Sequence, residues 1–149
     1  MTTISAPQND TTTLDQRPIA LVAWGATEAI LQHSQAALAR IDMTQPQWWA
    51  LNNIVRAEHG LTREEIRALD VPYGMGTQVI VHAADALLHR GWLDIGAGGR
   101  LTLTEQGHEG LATAKKHMDR VRAALLGDIT EKEYATAVSV LQHITDNLA

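Results

Sequence analysis

Apolar residues recur along most of this chain at the three- and four-residue spacing of α-helices, and clear stop signals separate the periodic stretches. From Pro18 to Ile41, Ile19, Val22, Ala26, Ile30, Ala37 and Ile41 make one stripe, which predicts a first long helix. Thr44 to Gln47 ("TQPQ") has the form of a capping box, in which the Thr44 hydroxyl accepts from the third-position amide while Gln47 reaches back. Pro46 fits there because first-turn amides have no intrahelical partner. A second helix runs through Trp48, Leu51 and Val55 and stops at Gly60, a residue suited to a left-handed cap. A second capping box, Thr62 to Glu65 ("TREE"), opens a short third helix through Ile66 and Leu69, and "DVPYGMG" (70–76) reads as a turn. A fourth helix is expected from about Thr77 to Arg90. A fifth, capped by Thr104, carries Leu111, Ala114, Met118, Val121 and Leu125 as far as Gly127. The last begins at another capping box, Thr130 to Glu133 ("TEKE"), with Tyr134, Ala137, Leu141, Ile144 and Leu148 on one face.

Between the fourth and fifth helices the period changes to two. In "GWLDIGAGGRLTLTEQG" (91–107), Leu93 and Ile95 alternate with Trp92 and Asp94, and Leu101 and Leu103 with Arg100, Thr102 and Thr104. Gly96-Ala97-Gly98-Gly99 supplies the turn, so the segment predicts a β-hairpin. Leu93, Ile95, Leu101 and Leu103 are expected to close a small core, with Trp92 packed near the end of the fourth helix. The fold class is therefore mainly α with a small β-hairpin wing.

Composition narrows the function classes. The 149 residues, 45% of them apolar, suffice for one domain with helical extensions. Absence of cysteine excludes disulfides, thiol catalysis and cysteine-ligated metal, and fits a reducing, cytoplasmic setting. No apolar run approaches the ~20 residues that span a bilayer, so no membrane partner is expected. Residues 1–16 have neither a basic patch nor an apolar core, so they read as a disordered polar tail rather than a signal peptide. The formal net charge of −5 argues against indiscriminate nucleic-acid binding but leaves room for a local basic patch. His82 and His89 share a helix face with Asp85, yet two turns separate them, and no metal site is expected. "GAGG" lacks the Lys-Ser/Thr of a phosphate loop, so no cofactor is called for.

The element order resembles that of the MarR family of winged-helix regulators from about residue 17 to 149. Its most specific stretches are "TQPQWWALN" (44–52), "GLTREEI" (60–66), "ALLHRGWL" (86–93), "LTLTEQGHEGL" (101–111) and "ITEKEYATAVSVLQHI" (129–144). The resemblance implies a winged helix-turn-helix over 43–104, and a helical dimerisation region formed by 17–42 and 105–149. It also implies a homodimer, double-stranded DNA as partner, and a small aromatic or apolar effector in the cleft between the two parts. Apolar stripes too broad for one small chain to cover agree with pairing about a two-fold axis.

The reading head departs from the family's pattern. Opposite the stripe of Ile80, Ala84, Leu87 and Leu88, the fourth helix presents Gln78, His82, Asp85 and His89 instead of a run of Ser, Thr and Arg. Between Gly60 and Gly107, Arg63, Arg67, Arg90 and Arg100 face Glu64, Glu65, Asp70, Asp85, Asp94 and Glu105. Asp85 is expected to repel phosphate, whose neutralisation dominates DNA affinity. The residues left to bind DNA are Thr77, Gln78 and His82 on the helix, Arg90 at its end and Arg100 in the wing; Gln78 can pair with adenine. The plainer reading of Gln78, His82 and His89 is a solvated face. The same holds for Lys115, Lys116, Arg120 and Arg122 on the fifth helix, balanced by Asp119 and Asp128.

A second candidate site gathers Trp24, His33, Trp48, Trp49 and His59. Trp48 and Trp49 are adjacent, so ~100° of helical rotation separates them, and one is expected in the core while the other faces the effector cleft. His33 interrupts the apolar stripe of the first helix and is expected to be partly buried with a hydrogen-bond partner, more often a core residue than a ligand contact. Two functions follow. The first is a ligand-responsive regulator acting as a homodimer on a palindromic DNA site. The second keeps the dimer and cleft but has lost DNA, serving as a small-molecule-binding protein or a cofactor-free enzyme with His33 or His59 as acid and base.

Overall fold

The computed structural model describes residues 16–72 and 74–149. The tail expected over residues 1–16 lies, Gln16 apart, outside the described residues, as does Tyr73 in the turn at 70–76. The order is α1 (Ile19–Ala39), α2 (Gln45–Arg56), α3 (Arg63–Arg67), α4 (Thr77–His89), β1 (Leu93–Ile95), β2 (Leu101–Leu103), α5 (Glu105–Leu126) and α6 (Glu131–Leu148).

Local chemistry fixes the helix starts. Thr44 and Thr130 each close a full capping box, with Gln47 and Glu133 as the returning side chains. Thr62 accepts from the Glu65 amide at 3.1 Å and Thr104 from the Gly107 amide at 3.0 Å. At Thr62 the box is only half made: the Glu65 carboxylate accepts from the Thr62 hydroxyl at 3.3 Å but not from its backbone amide.

The winged unit is α2, α3, α4 and the hairpin, and its core is Leu51, Ile54, Ile66, Ile80, Leu87 and Leu101, all at most 2% exposed. Each contributes on the order of 1.5–3 kcal/mol by leaving water. β1 and β2 pair antiparallel with Leu93 opposite Leu103 and Ile95 opposite Leu101. The backbone at Leu61 adds a bridge on the far side of β2, exchanging hydrogen bonds with Leu101 at 3.1 and 2.7 Å. Gly60 makes that approach possible: its φ is 72°, and a Cβ there would collide with the Leu101 carbonyl. The hairpin core is smaller than expected. Leu93 and Leu101 are buried, but Ile95 is 50% exposed, because the strands end there and nothing packs over the tip.

α1 lies along α5, and the turn at Ile41–Met43 leads into α2. The face of α1 turned to its own chain is Thr27, Leu31, Ser34 and Leu38, with Ser34 and Leu38 buried. Of the predicted stripe, Ile19, Val22, Ala26 and Ile30 are exposed, whereas Ala37 and Ile41 are half-buried. On α6 no residue is fully buried, and only Tyr134 and Ile144 are half-buried.

Candidate functional site

α4 presents its outer row as expected. Thr77, Gln78, His82 and His89 are exposed, while Ile80, Val81, Ala84 and Leu87 are buried beneath them. Asp85 is not a bare charge in that row. The Arg63 Nε, at the first position of α3, donates to its Oδ1 at 2.9 Å. Two other arginines of the head are also engaged by their own chain. In the wing, Arg100 Nη1 stands 3.2 Å from Glu65 Oε1 and donates to the Gly60 carbonyl at 3.2 Å. Arg90 Nη1 donates to the Asp42 carbonyl at 2.6 Å, and its guanidinium lies 4.2 Å from the Trp92 ring centre. Arg67 is exposed and makes no ion pair among the described residues.

These contacts hold geometry more than they stabilise. Both side chains of the Arg63–Asp85 pair, like those of Arg100–Glu65, keep more than 40% of their exposure. Such pairs contribute about 0–1 kcal/mol and exchange readily with other ions. Nothing in the sequence links Arg63 to Asp85, 22 positions away; the packing of α3 on α4 brings them together.

The aromatic and histidine candidates separate. Trp24 is 62% exposed and, with Thr27, Leu31 and Gln35 of α1 and Gly74 of the turn before α4, lines a cleft of about 510 Å³. Trp48 and Trp49 are both half-buried against the core. The expected split, one indole in the core and one in the cleft, is therefore replaced by two partial burials, possible because α2 packs against several elements at once. His33 is exposed rather than partly buried, and it borders an apolar groove of about 410 Å³ between Ala26, Ile30, Val121 and Leu125. His59 stands at the end of α2 with its side chain 78% exposed, 4.0 Å from the Glu58 carboxylate; it does not line the groove that His33 lines. On α5, Lys115, Lys116 and Arg120 are exposed, and Arg122 pairs with Glu131 at 3.1 Å and stacks on Tyr134 at 4.8 Å. Among the described residues no cluster of three His, Asp, Glu or Cys is placed to hold a metal, and no helix is long and apolar enough to cross a membrane.

No protein-family model and no curated protein matches the chain. Solved structures do. A MarR family transcriptional regulator from Silicibacter pomeroyi superposes with a TM-score of 0.73 at 15% identity, over 95% of this chain and 100% of that one. The Mycobacterium tuberculosis MarR family protein Rv2887 in complex with DNA gives 0.69 at 17% identity, over 86% and 98%. The same protein with salicylic acid gives 0.67 at 19%, over 86% and 96%. The chain has the MarR-type winged-helix fold.

Proposed function

We propose that this protein is a ligand-responsive DNA-binding transcriptional regulator that acts as a cytoplasmic homodimer on a palindromic site. The observation that carries the reading is the exposed row Thr77, Gln78, His82 and His89 on α4, beside a short wing, in a fold that a solved relative uses with DNA. In this reading two α4 helices related by a two-fold axis enter successive major grooves about 34 Å apart. Gln78 reads adenine, Thr77 contacts phosphate or a thymine methyl, and Arg90 and Arg100 contact phosphate after leaving their present partners. The effector belongs in the cleft lined by Trp24; Trp48, Trp49, His33 and His59 do not line that cleft and are second-rank candidates. That a structural neighbour binds salicylic acid supports a small aromatic effector here.

The test is an anisotropy titration against the DNA upstream of the protein's own gene, paired with selection from random duplexes. Specific binding is expected, with Gln78→Ala weakening the selected site by about 1–3 kcal/mol and leaving random duplex unaffected. No binding and no enriched palindrome would end the regulator reading. One observation favours the alternative of a small-molecule-binding protein or cofactor-free enzyme: Arg63, Arg90 and Arg100 are already engaged by their own chain. Quenching of Trp24 fluorescence by salicylate without any DNA binding is the outcome that would promote it.

A further inference from the structure

We infer that Asp85 and Glu65 are specificity-determining residues that act as internal competitors for DNA phosphate, each withholding one arginine of the reading head until a correct site displaces it. The inference rests on the DNA-binding reading above and adds a device to it. A duplex approaching α4 and the wing meets cations that are already paired with carboxylates: Arg63 hydrogen-bonded to Asp85 at 2.9 Å and Arg100 in an ion pair with Glu65 at 3.2 Å. A phosphate oxygen offers the same acceptor chemistry as a carboxylate oxygen, so docking is an exchange of one anion for another. All four side chains keep roughly half their exposure, so neither guanidinium is locked away. The two carboxylates also differ in how firmly they are placed. Asp85 is held by Arg63 across the α3–α4 packing, whereas Glu65 is additionally fixed by the Thr62 hydroxyl at 3.3 Å. Arg100 has a further tie, to the Gly60 carbonyl at 3.2 Å, so the wing arginine is the harder of the two to release.

A duplex that seats Gln78 and Thr77 on its bases holds α4 close enough to draw Arg63 and Arg100 from their carboxylates, whereas random duplex, held by phosphate alone, docks without displacing them. Random DNA is thereby disfavoured. An acidic reading head is then a filter and not a defect. It lowers the number of phosphates neutralised in the encounter, and with it the salt dependence of non-specific binding.

The experiment titrates a fluorescein-labelled random-sequence duplex with the full chain and its variants between about 50 and 200 mM salt. Asp85→Asn frees Arg63 and is expected to tighten binding and to steepen the slope of log affinity against log salt by about 0.9 per protomer, about 1.8 for the dimer. Its advantage over the unsubstituted chain should therefore shrink about tenfold across that salt range. Asp85→Ala is expected to act in the same direction. Glu65→Gln should do so more weakly, because the Gly60 carbonyl still holds Arg100. Arg63→Gln serves as the decisive background: in it, Asp85→Asn should gain nothing. An equal gain with and without Arg63 would overturn the inference, since Asp85 would then act only as a repelling charge. An unchanged slope in Asp85→Asn, in a protein whose unsubstituted form binds DNA, overturns it while sparing the regulator reading. Absence of DNA binding by every form, at the lowest salt and with the near-ultraviolet circular dichroism of a folded protein, overturns both.

Discussion

Trp92 occupies a notch cut into α5. Its side chain is 8% exposed, and a Cβ on Gly110 would run into its six-membered ring, while one on Gly107 would meet its carbonyl. Two glycines inside a helix cost about 1 kcal/mol each relative to alanine, and burial of the indole and of the strand that follows it offsets that loss. Gly110→Ala should accordingly destabilise the protein by roughly 1–3 kcal/mol through overpacking, despite the better helix former. A urea midpoint that rises instead would show that the ring yields and the notch is not needed. The hairpin gives a paired test of orientation. Leu101 is fully buried and Leu101→Ala should cost about 2–5 kcal/mol; Ile95 is half-exposed, and Ile95→Ala should stay within about 0.5 kcal/mol. Equal losses at the two positions would mean that the wing tip is covered in solution.

The start of α6 links a cap to acidity. Glu133 sits in the capping box of Thr130, and the Thr130 amide first, then its hydroxyl, donates to the carboxylate and holds its pKa below the ordinary 4.5. A carboxyl with a lowered folded-state pKa adds stability that is complete above its unfolded value and is lost as the pH falls through the folded one. Glu133→Gln preserves the reciprocal geometry, as Gln47 does in the box that starts α2. The substitution should therefore cost stability near neutrality and nothing once the medium is more acidic than the carboxylate range. A constant difference across that range would point to helix-end charge, not the box, as the source. These boxes were the most legible features in the sequence, because a cap is written in four adjacent residues. The stop at Gly60, the fourth helix and the hairpin were equally local. The rotation of α1 was not, because the spacing of Ile19, Val22, Ala26 and Ile30 reports a stripe without saying whether its own chain covers it. Nor were the pairs made by Arg63 and Arg100, whose partners come from separate elements. At the candidate site the exposed row of α4 could therefore be read beforehand, while the masking of its cations could not.

The two ends of the chain leave apolar surface that a lone protomer keeps in water. On α1, Ile19, Leu21, Val22 and Ile30 are 38–67% exposed, and on α6 Val138, Val140, Leu141 and Leu148 are 42–82% exposed. α6 is 18 residues long and buries none of them. Helices in proteins draw most of their stability from packing an apolar face, and in the proposed homodimer a second copy offers a matching α1 and α6 about a two-fold axis. In that proposal the pairing also fixes the separation of the two α4 helices, so palindrome reading would depend on it. Leu141→Glu, placing a charge in the middle of that face, should yield a monomer in sedimentation equilibrium and remove the concentration dependence of the melting temperature. It should also lose helical circular dichroism by up to the 18 residues of α6, because the helix frays once its cover is gone. A monomeric unsubstituted chain at micromolar concentration, with full helicity, would mean that α6 stands by its own capping and side-chain pairs, and the two-fold arrangement of the reading heads would have to be abandoned.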